Sequence, residues 1–272
     1  VEEGFRAYSD KMGDLAARAY AENWVDVPPH AGKRDGAFCM GSRYDESRIL
    51  MNFKESFGSV ATLAHELGHA YHNLCLKDRT AMQSGTPMTL AETASIFCET
   101  VIKRRAIAAT SGQERLAILE ASIMGACQTV VDITSRFIFE KTVFEKRPAR
   151  ELSAAEFCSV MEGAQKETYG DGLSSYHPYM WAVKPHYYSG RHFYNYPYMF
   201  GLLFSLGLYA VYESSPDGFH DRYDDLLSST GMFDAAELAS RFGIDIRSES
   251  FWAGSLSVIE KDIDLFVAEA GR

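Results

Sequence analysis

The alternation of apolar and polar positions reads as a succession of amphipathic helices with one short interruption. Phe5, Tyr8, Met12, Leu15, Ala19 and Tyr20 recur at helical spacing and predict a helix from Val1 to about Glu22. Val27-Pro28-Pro29-His30-Ala31-Gly32 stops it. Gly36 to Met40 and Arg48 to Phe53 then read as two short strands around a polar turn. Val60, Leu63, Leu67, Tyr71 and Leu74 form the apolar stripe of the next helix, from near Ser59 to Leu76. Further helices are predicted from Thr89 to about Ala109 and from Gln113 to about Lys146, the latter ended by Pro148. Another opens at the capping-box spacing Ser153 to Glu156. The remaining ones cover Met199 to Tyr212, Asp221 to Leu227, Ala235 to Arg241, and Phe251 to about Ala268. A Gly- and aromatic-rich stretch, Tyr169 to Tyr198, has weaker periodicity. The pattern predicts a mainly α fold, with a small β element beside the helix over 59–76 and residues 1–272 as a single domain.

Composition narrows the class. With 46% hydrophobic and 24% charged residues, the chain has the makings of a globular core. A net charge of −10 argues against nucleic acid and against an anionic membrane, since both require clustered Lys and Arg. Cys39, Cys75, Cys98, Cys127 and Cys158 are scattered without a C-x-x-C spacing. Most of them are read as small buried hydrophobes in a reducing, cytoplasmic compartment. No signal-peptide pattern and no uninterrupted apolar run of membrane-spanning length is found. Val1 already lies inside an amphipathic pattern, which leads us to expect a piece of a longer protein.

The chemistry concentrates in Leu63-Ala64-His65-Glu66-Leu67-Gly68-His69-Ala70-Tyr71. His65 and His69 are four apart and project from one side of their helix, where two imidazoles reach one tetrahedral ion such as Zn2+. Glu66 points about 100° away around the helix, beside the ion, where it can take a proton from water. A third ligand is needed, and Glu92 and Glu99 are the candidates on the next helix, seven apart and on a shared face. Thr89 to Glu92 also has capping-box spacing, so Glu92 could instead close its own helix. We favour Glu92 as the metal ligand, and place Glu99 behind a ligand histidine, orienting it through its other ring nitrogen. His72 continues the same stripe but is a turn too far to share the ion. His30, His177, His192 and His220 stand alone and are read as surface or packed residues.

With His65-Glu66-Leu67-Gly68-His69-Ala70-Tyr71-His72 and Leu90-Ala91-Glu92-Thr93-Ala94-Ser95, the chain resembles the thimet oligopeptidase and oligoendopeptidase F family of zinc metallopeptidases. Gly32-Lys33-Arg34-Asp35-Gly36-Ala37-Phe38-Cys39, Leu50-Met51-Asn52-Phe53 and Trp181-Ala182-Val183-Lys184-Pro185-His186-Tyr187-Tyr188 resemble its oligoendopeptidase F branch. So does Phe193-Tyr194-Asn195-Tyr196-Pro197-Tyr198, although the spacing from His186 to these tyrosines is one residue longer than the usual pattern. The resemblance implies a helical zincin-like catalytic region forming the C-terminal half of a protein about twice this length. It also implies a clam shell closed by an N-terminal half of the same protein. Zinc held by His65, His69 and Glu92, and short peptides as substrates, follow from the same resemblance. His186, with one or two of Tyr194, Tyr196 and Tyr198, would stabilise the oxyanion of the tetrahedral intermediate.

The main expectation is therefore a zinc metalloendopeptidase with Glu66 as general base. Two alternatives stay open: a zinc carboxypeptidase of related helical architecture, using Arg191 or Lys184 to hold a substrate C-terminus, and a non-catalytic fragment whose metal staples helices. The strand containing Cys39 is expected to pair with an extended peptide rather than to supply a thiol ligand.

Overall fold

The structure, a computed structural model, describes residues 1–34, 36–43 and 45–271. Asp35, part of the upstream motif quoted above, lies outside them. The chain divides into two compact units, Val1–Ile123 with Gly201–Arg272, and Met124–Phe200.

In the first unit, the single helix expected over the opening residues is two, α1 (Glu2–Tyr8) and α2 (Asp10–Ala21). Ser9 between them is extended and its Oγ accepts the Met12 N–H at 3.1 Å, so a cap residue inside the apolar pattern restarts the helix. Three strands follow: β1 (Val25–Asp26), β2 (Phe38–Arg43) and β3 (Glu46–Leu50), in the order β1-β3-β2. β2 and β3 pair antiparallel with an irregularity between Gly41 and Arg43. The two predicted strands are both present, displaced toward the turn that joins them. β1 is too short to leave a pattern, and only its parallel pairing with Ile49 and Leu50 makes it a strand.

α3 (Phe57–Cys75) is capped by Ser56, whose Oγ accepts the Ser59 N–H. A 3₁₀ turn (Met88–Leu90) leads into α4 (Thr93–Ala109), so the predicted helix start at Thr89 moves to Thr93. The unit continues with α5 (Gly112–Cys127) as far as Ile123 and resumes at Gly201 in α8 (Tyr196–Ser214). It ends with α9 (Phe219–Ser228), α10 (Ala235–Arg241) and α11 (Glu249–Ala270). Phe97, fully buried at the heart of α4, meets Tyr8, Tyr223 and Phe219 at ring separations of 5.4, 4.4 and 5.9 Å. Burial of one such ring contributes about 2–3 kcal/mol. Arg104 and Asp262 tie α4 to α11 through two hydrogen bonds of 2.5 and 3.0 Å.

The second unit runs from the end of α5 through a π-helical turn (Gln128–Asp132) into α6 (Ile133–Lys146) and α7 (Ala154–Tyr169). The Ser153–Glu156 capping box forms as predicted. Two 3₁₀ turns, Met180–Val183 and Pro185–Tyr188, occupy the weakly periodic stretch. Phe139, Met161 and Ala164 are its buried centre, covered by Phe157, Trp181 and Tyr187. The Gly112–Lys146 helix is, among the described residues, the one long and apolar enough to cross a membrane by length and composition. Glu120 and Asp132 interrupt its apolar sequence, and Asp132 is paired with Arg136.

Candidate metal centre

His65 and His69 stand one turn apart on α3, their rings 5.0 Å apart and nearly perpendicular. Glu92 sits at the N-cap position of α4 without capping it, so its carboxylate is turned toward the histidines. One Glu92 oxygen, Oε2, lies 3.2 Å from His65 Nε2 and 3.6 Å from His69 Nε2. Ser95 Oγ donates to the same oxygen at 2.8 Å and fixes its direction. Among the described residues, these three are the one group of His, Cys, Asp or Glu side chains whose donor atoms, one per residue, all lie within 4.8 Å of one another.

Two features bring Glu92 into reach. Gly68 presents no side chain to α4, which lets the two helices approach. Gly201 of α8 likewise leaves room for the Glu92 side chain, where an added Cβ would fall 2.6 Å from the Glu92 Cβ. Behind the histidines, Glu99 Oε2 accepts the Nδ1 proton of His65 at 3.1 Å, and Lys103 Nζ holds the other Glu99 oxygen at 2.6 Å. This fixes the His65 tautomer and turns its Nε2 lone pair toward His69 and Glu92.

The electrostatics describe a cluster built around positive charge. Burial alone would lower the His65 pKa, but the hydrogen bonds and charges of Glu92 and Glu99 outweigh it and raise it to about 10. Against the upward push of burial, the hydrogen bond from His65, the charges of His69 and His65 and the Ser95 hydrogen bond hold Glu92 at about 2. Burial, then the charge of His65, drives His69 down to about 4, against the pull of Glu92. With His65 as the neutral Nδ1–H tautomer, its Nε2 and Glu92 Oε2 would face each other lone pair to lone pair at 3.2 Å, an arrangement that a cation between them relieves. Two imidazoles and a carboxylate are the donor set of a catalytic zinc site with one position left open. The residues fit zinc.

Glu66 is 5% exposed, and its Oε2 is buried without a hydrogen-bond partner. Burial first, with the Glu92 charge assisting and His65 opposing, lifts its pKa to about 7. β2, the edge strand that carries Cys39, packs against α3, the helix that carries Glu66. Cys39 itself is no ligand in the trio, and burial pushes its thiol up to about 12. His72 turns away, its Nε2 donating to the Leu227 carbonyl at 3.2 Å and meeting Thr230 Oγ1 at 2.9 Å.

The other predicted residues belong to the second unit. His186 stacks on Tyr194 at 5.3 Å, and both face Tyr198 at 6.0 Å, so these three form one cluster. Tyr196, in the first turn of α8, points elsewhere and meets Phe137 of α6 at 6.3 Å. Arg191 lies over the Tyr194 ring at 5.6 Å. Gly68, Ser95 and Gly201 were not singled out from sequence. Gly68 inside an otherwise helix-favouring stripe and Ser95 three residues beyond Glu92 are the signals that could have done so.

The chain is similar to an oligoendopeptidase F homolog of Lactococcus lactis subsp. lactis, 26% identical over 269 residues, covering 96% of this chain and 44% of the relative. Among solved structures it is similar to oligoendopeptidase F from Enterococcus faecium, with a TM-score of 0.66, 20% identity, and 79% of this chain and 40% of that one covered. It is also similar to PZ peptidase A solved with an inhibitor, with a TM-score of 0.74, 16% identity, and 96% and 47% covered. The chain thus spans less than half the length of the relatives it matches. The resemblance read from the His65–His72 and Leu90–Ser95 motifs is borne out: the family model of peptidase family M3 matches residues 7–258, and the chain belongs to that family.

Proposed function

We propose that this chain is the catalytic region of a zinc metalloendopeptidase that cuts internal bonds of short oligopeptides. The observation that carries the reading is the His65–His69–Glu92 trio with the unpartnered Glu66 carboxylate beside it. His65, His69 and Glu92 would hold the ion, chosen as zinc by ligand type. When bound, zinc supplies Lewis acidity toward the scissile carbonyl and lowers the pKa of water at the same centre. Glu66, raised to about 7, accepts a proton from the attacking water and later delivers it to the leaving amine. His186, with Tyr194 or Tyr198, donates hydrogen bonds to the oxyanion of the tetrahedral intermediate. Tyr196 remains a candidate from the sequence motif, although its ring meets Phe137.

β2 is an edge strand, and its free backbone offers an extended peptide a ladder that needs no particular side chains. Residues 1–272 act as one catalytic region in this reading, completed by an N-terminal half of the same protein. The five free cysteines support a reducing, cytoplasmic location. Neither nucleic acid nor a membrane enters the reading, in keeping with the net charge of −10.

The test is Glu66→Gln assayed on an internally quenched peptide, with zinc content measured on the same sample. Retained zinc with turnover reduced about 10³-fold or more is expected for loss of the base. Full activity would remove Glu66 from the chemistry. Mass spectrometry of a digested ten-residue peptide separates internal cuts from the single terminal losses of a carboxypeptidase.

A further inference from the structure

α6 ties down both ends of the stretch from His186 to Asn195, through contacts that the proposed reaction does not use. At its start, Tyr187 donates its hydroxyl to the Arg136 carbonyl at 3.2 Å and lays its ring 5.1 Å from that of Phe139. At its end, Arg136 Nη1 donates to Asn195 Oδ1 at 3.4 Å, with Asn195 1% exposed. Between them, Glu140 Oε1 accepts the Phe193 N–H at 2.8 Å. The Phe193 ring meets Phe137 at 5.9 Å and Phe144 at 5.1 Å. Arg136, Glu140 and Phe144 are spaced four apart, so they share one face of α6.

The Glu140 bond falls on a strained residue. Phe193 has φ +55°, a left-handed conformation that a bulky residue adopts only when its surroundings impose it. A return of φ to an ordinary negative value would redirect the chain that follows, and Tyr194 is the first side chain to follow. Its ring stacks on His186 at 5.3 Å, with 22° between the planes. Glu140 is 7% exposed, and its Oε2 is buried with no hydrogen-bond partner among the described residues. Burying a carboxylate with one oxygen unmet costs stability, and an apolar side chain of that size would avoid the cost. What the carboxylate adds, and an apolar side chain lacks, is the acceptor for the Phe193 N–H.

We propose that Glu140 is a positioning residue: by holding the Phe193 N–H it imposes the left-handed turn that sets the Tyr194 ring against His186. The catalytic purpose rests on the reading of His186 and Tyr194 as donors to the oxyanion. Such donors act only when they are already aimed at the place where charge develops. A displacement of about 1 Å is enough to cost about 10²-fold in rate. Glu140 itself touches no reacting atom and acts through Tyr194 and His186.

Nuclear Overhauser effects between the ring protons of His186 and Tyr194 in the zinc-loaded chain report the placement independently of turnover. They are expected in the native chain and in Glu140→Gln, whose amide oxygen still accepts the Phe193 N–H. They are expected to vanish in Glu140→Met, which fills the same space without that acceptor. There kcat on an internally quenched peptide should fall about 10²-fold, with KM changed less than about threefold. Phe193→Pro removes the N–H and forbids a positive φ while leaving α6 intact, and should give the same losses. A missing ring contact in the native chain would overturn the proposal, and that measurement requires no variant to fold. A loss in Glu140→Gln as large as in Glu140→Met would also overturn it. So would a lower melting temperature in Glu140→Met with ring contact and kcat unchanged, the mark of a purely structural role. Unchanged kcat in both His186→Gln and Tyr194→Phe would cancel the catalytic purpose, while the hold of Glu140 on the ring pair is judged by the spectra alone.

Discussion

Gly68 of α3 faces Ser95 of α4 so closely that a Cβ on the glycine would fall 2.6 Å from the Ser95 Cα and 2.7 Å from the Ala94 carbonyl oxygen. Both obstacles are backbone, so no side-chain rotation relieves them. The same contact brings Ser95 Oγ and the Glu92 carboxylate over the two histidines.

Gly68→Ala is therefore expected to separate the helices at the metal centre. Overpacking of this kind costs about 1–3 kcal/mol, and the displaced Glu92 should weaken zinc binding further. A zinc titration with a competing chelator, alongside thermal unfolding of the metal-free form, measures the two effects separately. Unchanged zinc affinity would mean that α4 can retreat without carrying Glu92 away.

Glu99→Gln keeps the shape of the side chain and removes the charge that holds His65 Nδ1–H and Lys103. Loss of such a supporting carboxylate typically lowers metal affinity about 10- to 100-fold. Equilibrium dialysis against buffered zinc reads the change, which should appear with little effect on the circular dichroism of the loaded protein.

His72 gives stability an acid limb. Burial, and secondarily the charge of His69, lowers its pKa to about 4, against the opposing bond to the Leu227 carbonyl. The unfolded chain, with an ordinary histidine pKa of about 6.5, binds the proton more readily than the folded one between these values. The contribution is complete above about pH 6.5, declines as pH falls, and levels off below about pH 4, with a maximum near 3 kcal/mol. Urea midpoints at pH 7.5 and pH 5 should differ more in the native chain than in His72→Asn. Equal differences would assign the acid loss to other groups.

Lys33 buries its ammonium rather than exposing it. Nζ reaches the Asp26 carbonyl at 3.1 Å, the Pro28 carbonyl at 2.9 Å and the Asp26 carboxylate at 3.1 Å, with the side chain 2% exposed. Lys33→Met leaves those acceptors without their charged donor and should cost about 2 kcal/mol. Limited proteolysis should then cut first within residues 27–34, ahead of β2.

Much of the site was legible from the chain. The four-residue spacing of His65 and His69 forces both rings to one side of any helix that contains them, whatever packs around it. Apolar stripes at helical spacing likewise specify α3, the helical run over 113–146, α10 and α11, because a face that repeats every 3.6 residues must be covered. The Ser153–Glu156 box is local chemistry and needs no partner. Other features were not local. β1 exists only because Ile49 and Leu50 come alongside it, and Ser9 breaks a helix whose apolar pattern continues unbroken through it.

The sequence by itself determined which side chains could bind a cation, since spacing on a helix is a covalent property. Tertiary structure decided that Glu92 reaches the histidines instead of closing its own helix, because that depends on two glycines, Gly68 and Gly201, admitting neighbouring helices at close range. It also sorted the tyrosines, grouping Tyr194 and Tyr198 with His186 and sending Tyr196 to Phe137. Residues two apart diverge once a helix begins between them, and no reading of composition or spacing reveals where that helix begins.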